Sequence, residues 1–263
     1  MKTLLFANQK GGVGKSAIAC QIAYYLAESG KRVLFLDLDH QQNSTRPISK
    51  SGRAAVASFN TYQLFEGQGA TLPDGTFVLI PGHEKLTNLD RQPDKHNGYV
   101  NSLKNFLDSA AERFDVCILD SNPNPDIRYA AAMISCNFVL SPIQLNQEAL
   151  DGIGSLLDHE RYGYRKIKAA LNPTMELIGL LPNIVEPTPF QRANFKQLVE
   201  TFAALLLKID TKAYAFIPKR SVVAEAQAQG DFIRDIKKSA ARDTWREIQP
   251  TFDAILQRMA LKA

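Results

Sequence analysis

The stretch Leu4-Leu5-Phe6-Ala7-Asn8-Gln9-Lys10-Gly11-Gly12-Val13-Gly14-Lys15-Ser16 decides how the rest of the chain is read. Its first four residues form an uninterrupted apolar run, as in a strand buried on both faces of a parallel sheet. A helical pattern follows over residues 16–29. A strand that empties through glycines into a helix is the layout of a phosphate-binding loop. The pattern G-x-x-x-x-G-K-[ST] fits once its first position is relaxed, because Gln9 stands where the first glycine would be. Glycines let backbone N–H groups turn inward around a phosphate, and the N-terminus of the following helix adds partial positive charge. Lys15 is placed to reach β- and γ-phosphates, and the Ser16 hydroxyl to ligand Mg²⁺. Nucleotide contacts are therefore expected from Gly11, Gly12, Val13, Gly14, Lys15, Ser16 and Ala17. An incidental glycine turn would not need the strand before it and the helix after it.

Outward from the loop, short apolar runs alternate with helical patterns. Residues 4–7, 33–36, 77–80, 116–119, 138–140, 177–181 and 213–217 read as strands; 16–29, 54–65, 100–113, 127–135, 147–159, 190–207 and 237–259 read as helices. The βαβ alternation runs along the whole chain without a Gly/Ser/Pro-rich linker or repeat. It predicts an α/β fold: a doubly wound, mostly parallel sheet with helices on both faces, and one domain over residues 1–263. Ligands of such sheets bind beyond the carboxyl ends of the strands, so each strand exit is where chemistry is sought. The 263 residues are 45% hydrophobic and 22% charged, which excludes a wholly disordered chain. Cys20, Cys117 and Cys136 are odd in number and lack CxxC spacing, which argues against a disulfide framework, a zinc site or an iron–sulfur cluster and fits a reducing cytoplasm. No apolar run approaches the ~18–20 residues of a membrane span. Residues 1–8 hold one Lys and too short an apolar run for a signal peptide.

Two strand exits end in aspartate. Leu36-Asp37-Leu38-Asp39 closes one with two carboxylates two residues apart, on one side of the strand. Burying charge there is costly without a cation, and Mg²⁺ with its retained waters usually takes only one or two carboxylates. Helix capping is the alternative use of such a pair. The run Phe114-Asp115-Val116-Cys117-Ile118-Leu119-Asp120 is an apolar strand ending in Asp120, the Walker B pattern, which would hold Mg²⁺ through water. His40 reads as an ordinary exposed loop histidine.

Lys10 is a second lysine ahead of the loop glycines. With it, KGGVGKS is the deviant Walker A motif, and the sequence resembles the ParA/MinD group of P-loop ATPases, most closely the short plasmid-type partition ATPases. The resemblance implies that Lys10 crosses a dimer interface to the partner's nucleotide while Lys15 acts in cis, so that assembly depends on ATP. It implies that Asp39 positions or deprotonates the attacking water and that Asp37 lies in the outer shell of Mg²⁺. Family members have D-x-D-P-Q-x-N here; His40 replaces the proline. They continue D-T-P-P after the Walker B aspartate, where this chain has Ser121-Asn122-Pro123, and Asn146 stands where they often have Glu. Asn183 and Pro218 fall where relatives flank the adenine. Residues 44–76 carry no motif.

The charge is unevenly spread: 14 Lys/Arg against 17 Asp/Glu in residues 1–160, and 17 against 10 in 161–263. The basic C-terminal third, with Arg192 ahead of Lys219, Arg220, Lys237, Lys238 and Arg242, is a candidate for backbone contacts to double-stranded DNA without base reading. A solvated helix face is the bland reading. The resemblance implies an ATP-dependent homodimer on nucleoid DNA, slow ATPase activity stimulated by a ParB-type centromere-binding protein, and no stable membrane association. With no helix-turn-helix extension ahead of residue 2, operator-specific repression is not expected. Two alternatives stay open. A MinD-like membrane-cycling ATPase would use the stripe Phe252, Ile255, Leu256 and Met259, with Arg258 and Lys262 beside it. A non-catalytic nucleotide-gated scaffold would follow from Asn122 and Asn146.

Overall fold

The computed structural model describes residues 1–69, 71–146 and 148–261, with the backbone alone for 149–151. Among them, seven strands form one sheet: β1 (Lys2–Phe6), β2 (Val33–Asp37), β3 (Ala55–Val56), β4 (Phe77–Ile80), β5 (Val116–Asp120), β6 (Phe138–Gln144) and β7 (Glu176–Asn183). Their order is β3-β4-β2-β5-β1-β6-β7, and every pairing is parallel. The apolar runs form strands because alternate residues are buried on opposite faces. On one face Leu5, Leu36, Leu119 and Leu180 pack against α3 (Thr61–Phe65), α4 (His96–Ala110), α5 (Ile127–Ser135), α6 (Ala149–Asp158), α7 (Tyr164–Ala170) and α8 (Pro189–Phe202). On the other, Leu4, Phe6, Phe35 and Ile118 pack against α1 (Lys15–Glu28), Ile48 of α2 (Thr45–Ser51), α9 (Ser221–Gln229) and α10 (Ser239–Arg258). This is the doubly wound α/β fold that the alternation predicts, of the P-loop NTPase type.

Two elements differ from the expectation. Residues 54–65 are not one helix. Ala55–Val56 is an edge strand on β4, Ala57 N–H donates to Leu79 O (2.8 Å), and the helix starts only at Thr61 behind a capping box made by Asn60 and Gln63. Residues 213–217 do not form a strand. Ala215 N–H donates to Leu207 O (2.9 Å) and Ile217 N–H to Pro182 O (2.9 Å), so the segment bonds to two different stretches instead of running along one. The predicted helix over 147–159 is found as Ala149–Asp158, and its first residue, Gln147, lies outside the described residues. Helices α2, α7 and α9 were not anticipated. Among the described residues, no helix is long and apolar enough to cross a membrane. Phe252, Ile255, Leu256 and Met259 are all buried core side chains; Lys262 lies outside the described residues.

Candidate functional site

The loop between β1 and α1 turns through Gly12 (φ 75°) and Gly14 (φ 85°), both in the left-handed region that side chains resist. Gly14 also caps α1 with no side chain, which leaves the helix's first N–H groups open to an anion. Three amides hold the loop from behind. Asn8 Oδ1 accepts from Lys10 N–H (2.8 Å), Gln144 Nε2 donates to Gly12 O (2.9 Å) and Asn183 Nδ2 donates to Val13 O (2.7 Å). Lys15 is buried, and its ammonium donates to the carbonyls of Asn8 (3.1 Å) and Lys10 (3.2 Å). Burial lowers its pKa, opposed by the charges of Asp120 and Asp39.

Parallel register brings the two strand-end aspartates together. Asp37 on β2 lies opposite Asp120 on β5, and neither is exposed. Asp37 Oδ2 accepts from Thr45 N–H (2.8 Å) and Thr45 Oγ1 (2.7 Å), and its Oδ1 accepts from Asp39 N–H (3.0 Å). Asp120 Oδ2 accepts a short hydrogen bond from Ser44 Oγ. Burial pushes both carboxyls above the ordinary carboxylate range. At Asp37 the charge of Asp120 adds to this; at Asp120 the hydroxyls of Ser44 and Ser16 and the charge of Lys15 oppose it. Asp120 Oδ1 is buried and has no protein partner. That orphaned oxygen, beside a loop serine, fits a hydrated cation. Among the described residues no cluster of three or more His, Cys, Asp or Glu could hold a metal. A donor set of carboxylate and hydroxyl oxygens suits Mg²⁺, which keeps most of its water.

Residues 1–177 match the AAA domain family. The chain is 32% identical to the chromosome-partitioning ATPase Soj of Thermus thermophilus over 237 residues, which cover 89% of this chain and 87% of that protein. The chain belongs to the ParA/MinD group of P-loop ATPases. Protein IncC of Escherichia coli is 29% identical over 275 residues, covering 99% of this chain and 70% of IncC. Among solved structures, the ATP complex of a single-residue variant of Cyanothece McdA superposes with a TM-score of 0.81 at 20% identity, covering 100% of this chain and 98% of that one, a likeness of fold.

Within this ParA/MinD-type chain the loop opens on a cleft of about 690 Å³. Gly11, Gly12, Val13, Gly14, Lys15, Ser16 and Ala17 line it together with Asp39, His40, Gln41, Arg46, Lys50 and Gln227. The structure thus gathers the loop and Asp39 around one cavity, with Asp37 and Asp120 beneath it. Three expected residues lie elsewhere. Lys10 forms an ion pair with Glu148 at the start of α6. Asn183 sits under the loop, so close that a Cβ on Gly14 would overlap its Nδ2. Pro218 bridges to Val185.

The basic residues divide into two sets. Lys219 pairs with Glu186 (3.1 Å), Arg220 with Glu247 (2.8 Å) and Lys238 with Glu225. Arg192, Lys237 and Arg242 have no carboxylate partner within 4 Å among the described residues. Arg242 lies on the first turn of α10, behind Lys238 at its N-cap.

Sequence reasoning missed the residues that fix the aspartates. Ser44 and Thr45 bind Asp120 and Asp37, Thr61 Oγ1 donates to Asp37 O (2.8 Å), and Gly82 N–H donates to Thr45 Oγ1 (2.8 Å). The adjacent hydroxyl pair directly after Asn43 is the one signal that could have pointed to them.

Proposed function

We propose that the chain, as a single domain over residues 1–263, is a partition ATPase whose ATP-bound form is a sandwich dimer on nonspecific double-stranded DNA. The observation that carries the reading is the pair of lysines on one glycine loop above two buried, register-matched aspartates. Membership in a group that contains Soj and IncC supports it. The cleft's loop amides and Lys15 bind the triphosphate. Asp39, at the cleft wall, orients or deprotonates the attacking water. Ser16 and Asp120 hold Mg²⁺ with Asp37 behind them, and Mg²⁺, when bound, neutralises phosphate charge. Lys10 exchanges Glu148 for the partner subunit's nucleotide. Asn183 and Pro218, which lie outside the open cleft, would reach the adenine only if the loop and the strand-end bridge shift when nucleotide binds. Arg192, Lys219, Arg220, Lys237, Lys238 and Arg242 supply the phosphate-backbone contacts. Hydrolysis is slow and is stimulated by a ParB-type centromere-binding protein, and the dimer works in the cytoplasm on the nucleoid. Burial of the C-terminal apolar stripe favours DNA over a membrane as the surface.

The test is sizing and co-sedimentation of the full chain with ATP·Mg²⁺. Asp39→Ala binds ATP, accumulates as a dimer and pellets with DNA but not with liposomes. A monomer under every condition, or wild-type turnover in Asp39→Ala, refutes the reading.

A further inference from the structure

Arg128 lies in the first turn of α5, and its side chain is only 2% exposed. A guanidinium keeps its charge when buried, so it must be paired where it stands. Asp126, the N-cap of the same helix, does this. Arg128 Nε donates to Asp126 Oδ1 (3.2 Å) and Oδ2 (3.0 Å), and Nη2 adds a short bond to Oδ2. The pair uses only part of the fork. The other arm, Nη1, lies 3.5 Å from Leu38 O and 3.5 Å from His40 Nδ1, and toward both it can only donate. His40, expected to be exposed, is half-buried in the cleft wall beside this arm.

Leu38 sits between Asp37 and Asp39, one residue beyond the end of β2, and is fully buried. Its N–H still donates to Asp120 O (2.9 Å). The ladder ends there, and Arg128 is the one donor its carbonyl has among the described residues. Asp126 is tied in turn to the other side of the site, where Asn122 Nδ2, two residues after Asp120, donates to its Oδ2 (2.9 Å). The residue between the two aspartates is therefore fastened to the Asp120 segment twice. One tie runs directly through its N–H, the other from its C=O through Arg128, Asp126 and Asn122. Packing alone does not call for an arginine here, because an apolar side chain fills a buried helix face without the cost of taking two charges out of water.

We propose that Arg128 is a positioning residue for hydrolysis: its Nη1 arm holds the Leu38–His40 turn against the Asp120 segment and so fixes where Asp39 stands. This rests on the role given to Asp39 above. Arg128 does not line the cleft and acts only through the turn it holds. A misplacement near 1 Å at a catalytic group costs roughly 100-fold in rate, so loss of this tie is worth roughly 10- to 100-fold.

The test is phosphate release by the full chain at saturating and limiting ATP·Mg²⁺ with double-stranded DNA present, alongside thermal melting. Arg128→Lys keeps the buried charge and its pairing with Asp126, but a single ammonium replaces the fork and cannot also serve Leu38 O. It melts within about 4 °C of wild type. Its maximal turnover falls by roughly 10- to 100-fold while KM for ATP moves less than about twofold. Arg128→Leu leaves Asp126 buried and unpaired and melts lower. Combining it with Asp126→Asn removes both charges and keeps a capping side chain, so the double variant regains the melting temperature while its turnover stays as low as that of Arg128→Lys. Asp39→Ala sets the floor. If wild type exceeds that floor and either Arg128→Lys or the double variant keeps the wild-type rate, the positioning role is wrong while the ATPase reading stands. Turnover that simply follows melting temperature across the three variants, or a raised KM in place of lowered turnover, also overturns it. A wild type no faster than Asp39→Ala overturns both.

Discussion

Gly82 follows β4 and touches the two residues on which the site depends. A Cβ there would lie 2.7 Å from Asp39 O, 3.1 Å from Asp37 Cγ and 3.3 Å from Asp37 O. Ordinary carbon contacts begin near 3.5 Å, so Gly82→Ala must push the Asp39 carbonyl away by about 0.8 Å. The neighbours cannot absorb this cheaply, because Asp39 N–H is already committed to Asp37 Oδ1 and Gly82 N–H to Thr45 Oγ1. Overpacking of this kind costs about 1–3 kcal/mol. For a chain of this length each kcal/mol lowers the melting temperature by about 2–4 °C, so the expected drop is about 2–12 °C. Turnover should fall more sharply, by up to about 100-fold, because a displacement near 1 Å at a catalytic group is expensive. Gly98→Ala is the matched control. Its Cβ meets nothing within 4 Å and it lies on α4, so that substitution is neutral or stabilises by up to about 1 kcal/mol. Thermal denaturation and phosphate release read both effects. Equal melting and turnover in Gly82→Ala and wild type, or an equal drop in Gly98→Ala, refutes the packing argument.

Lys15→Ala removes the buried ammonium from the loop and should abolish ATP-driven dimerisation in sizing experiments while the apo protein stays folded. Burial raises Asp37 to about 7 and Asp120 to about 6, above the ordinary value near 3.8. Between about pH 4 and 7 the folded chain then binds more protons than the unfolded one, so these groups make the metal-free protein less stable as pH rises through that window. Melting curves in EDTA should show this slope, and Asp37→Asn should flatten it; an unchanged slope in Asp37→Asn rules out Asp37 as its source. On DNA, Arg242→Ala should weaken binding and reduce the slope of log affinity against log salt by about 0.9. Lys219→Ala should do less, since Glu186 already neutralises that ammonium. Equal effects of the two would mean that the ion pairs open on binding.

The βαβ frame and the phosphate loop were legible because each rests on a local pattern. Residues 33–36 are apolar throughout since both faces of β2 are covered, and Gly12 and Gly14 are glycines since their φ angles demand it. The misread stretch 54–65 shows where local pattern fails. Arg53-Ala54-Ala55-Val56-Ala57 has helical composition, yet these residues supply the sheet's edge and hydrogen-bond to β4, a tertiary demand that overrides propensity. The Asn60-x-x-Gln63 capping box, which sets the true helix start, is a local signal that the apolar pattern of 54–65 masks.

The site divides along the same line. Asp37, Asp39 and Asp120 announce themselves at strand ends, but the first and last are held by partners 8 and 76 residues away, and no spacing rule reaches that far. Thr45 is chosen by Asp37, Ser44 by Asp120 and Gly82 by Thr45 only because β2, β4 and β5 are parallel and in register. Lys10 makes the point most sharply. Its position on the loop is local and readable. Its partner, Glu148, is brought to it by the exit of β6 and could not be named in advance. In the proposed dimer a triphosphate must displace that carboxylate. The ion pair is solvent-accessible, with Glu148 72% exposed, so its hold on Lys10 is weak and screened by salt. Under the proposed reading a triphosphate, which offers several negative charges in one place, would win that exchange, and Glu148 would hold Lys10 only between nucleotides. Removing Glu148 should therefore leave the ATP-bound dimer intact and matter chiefly when nucleotide is absent.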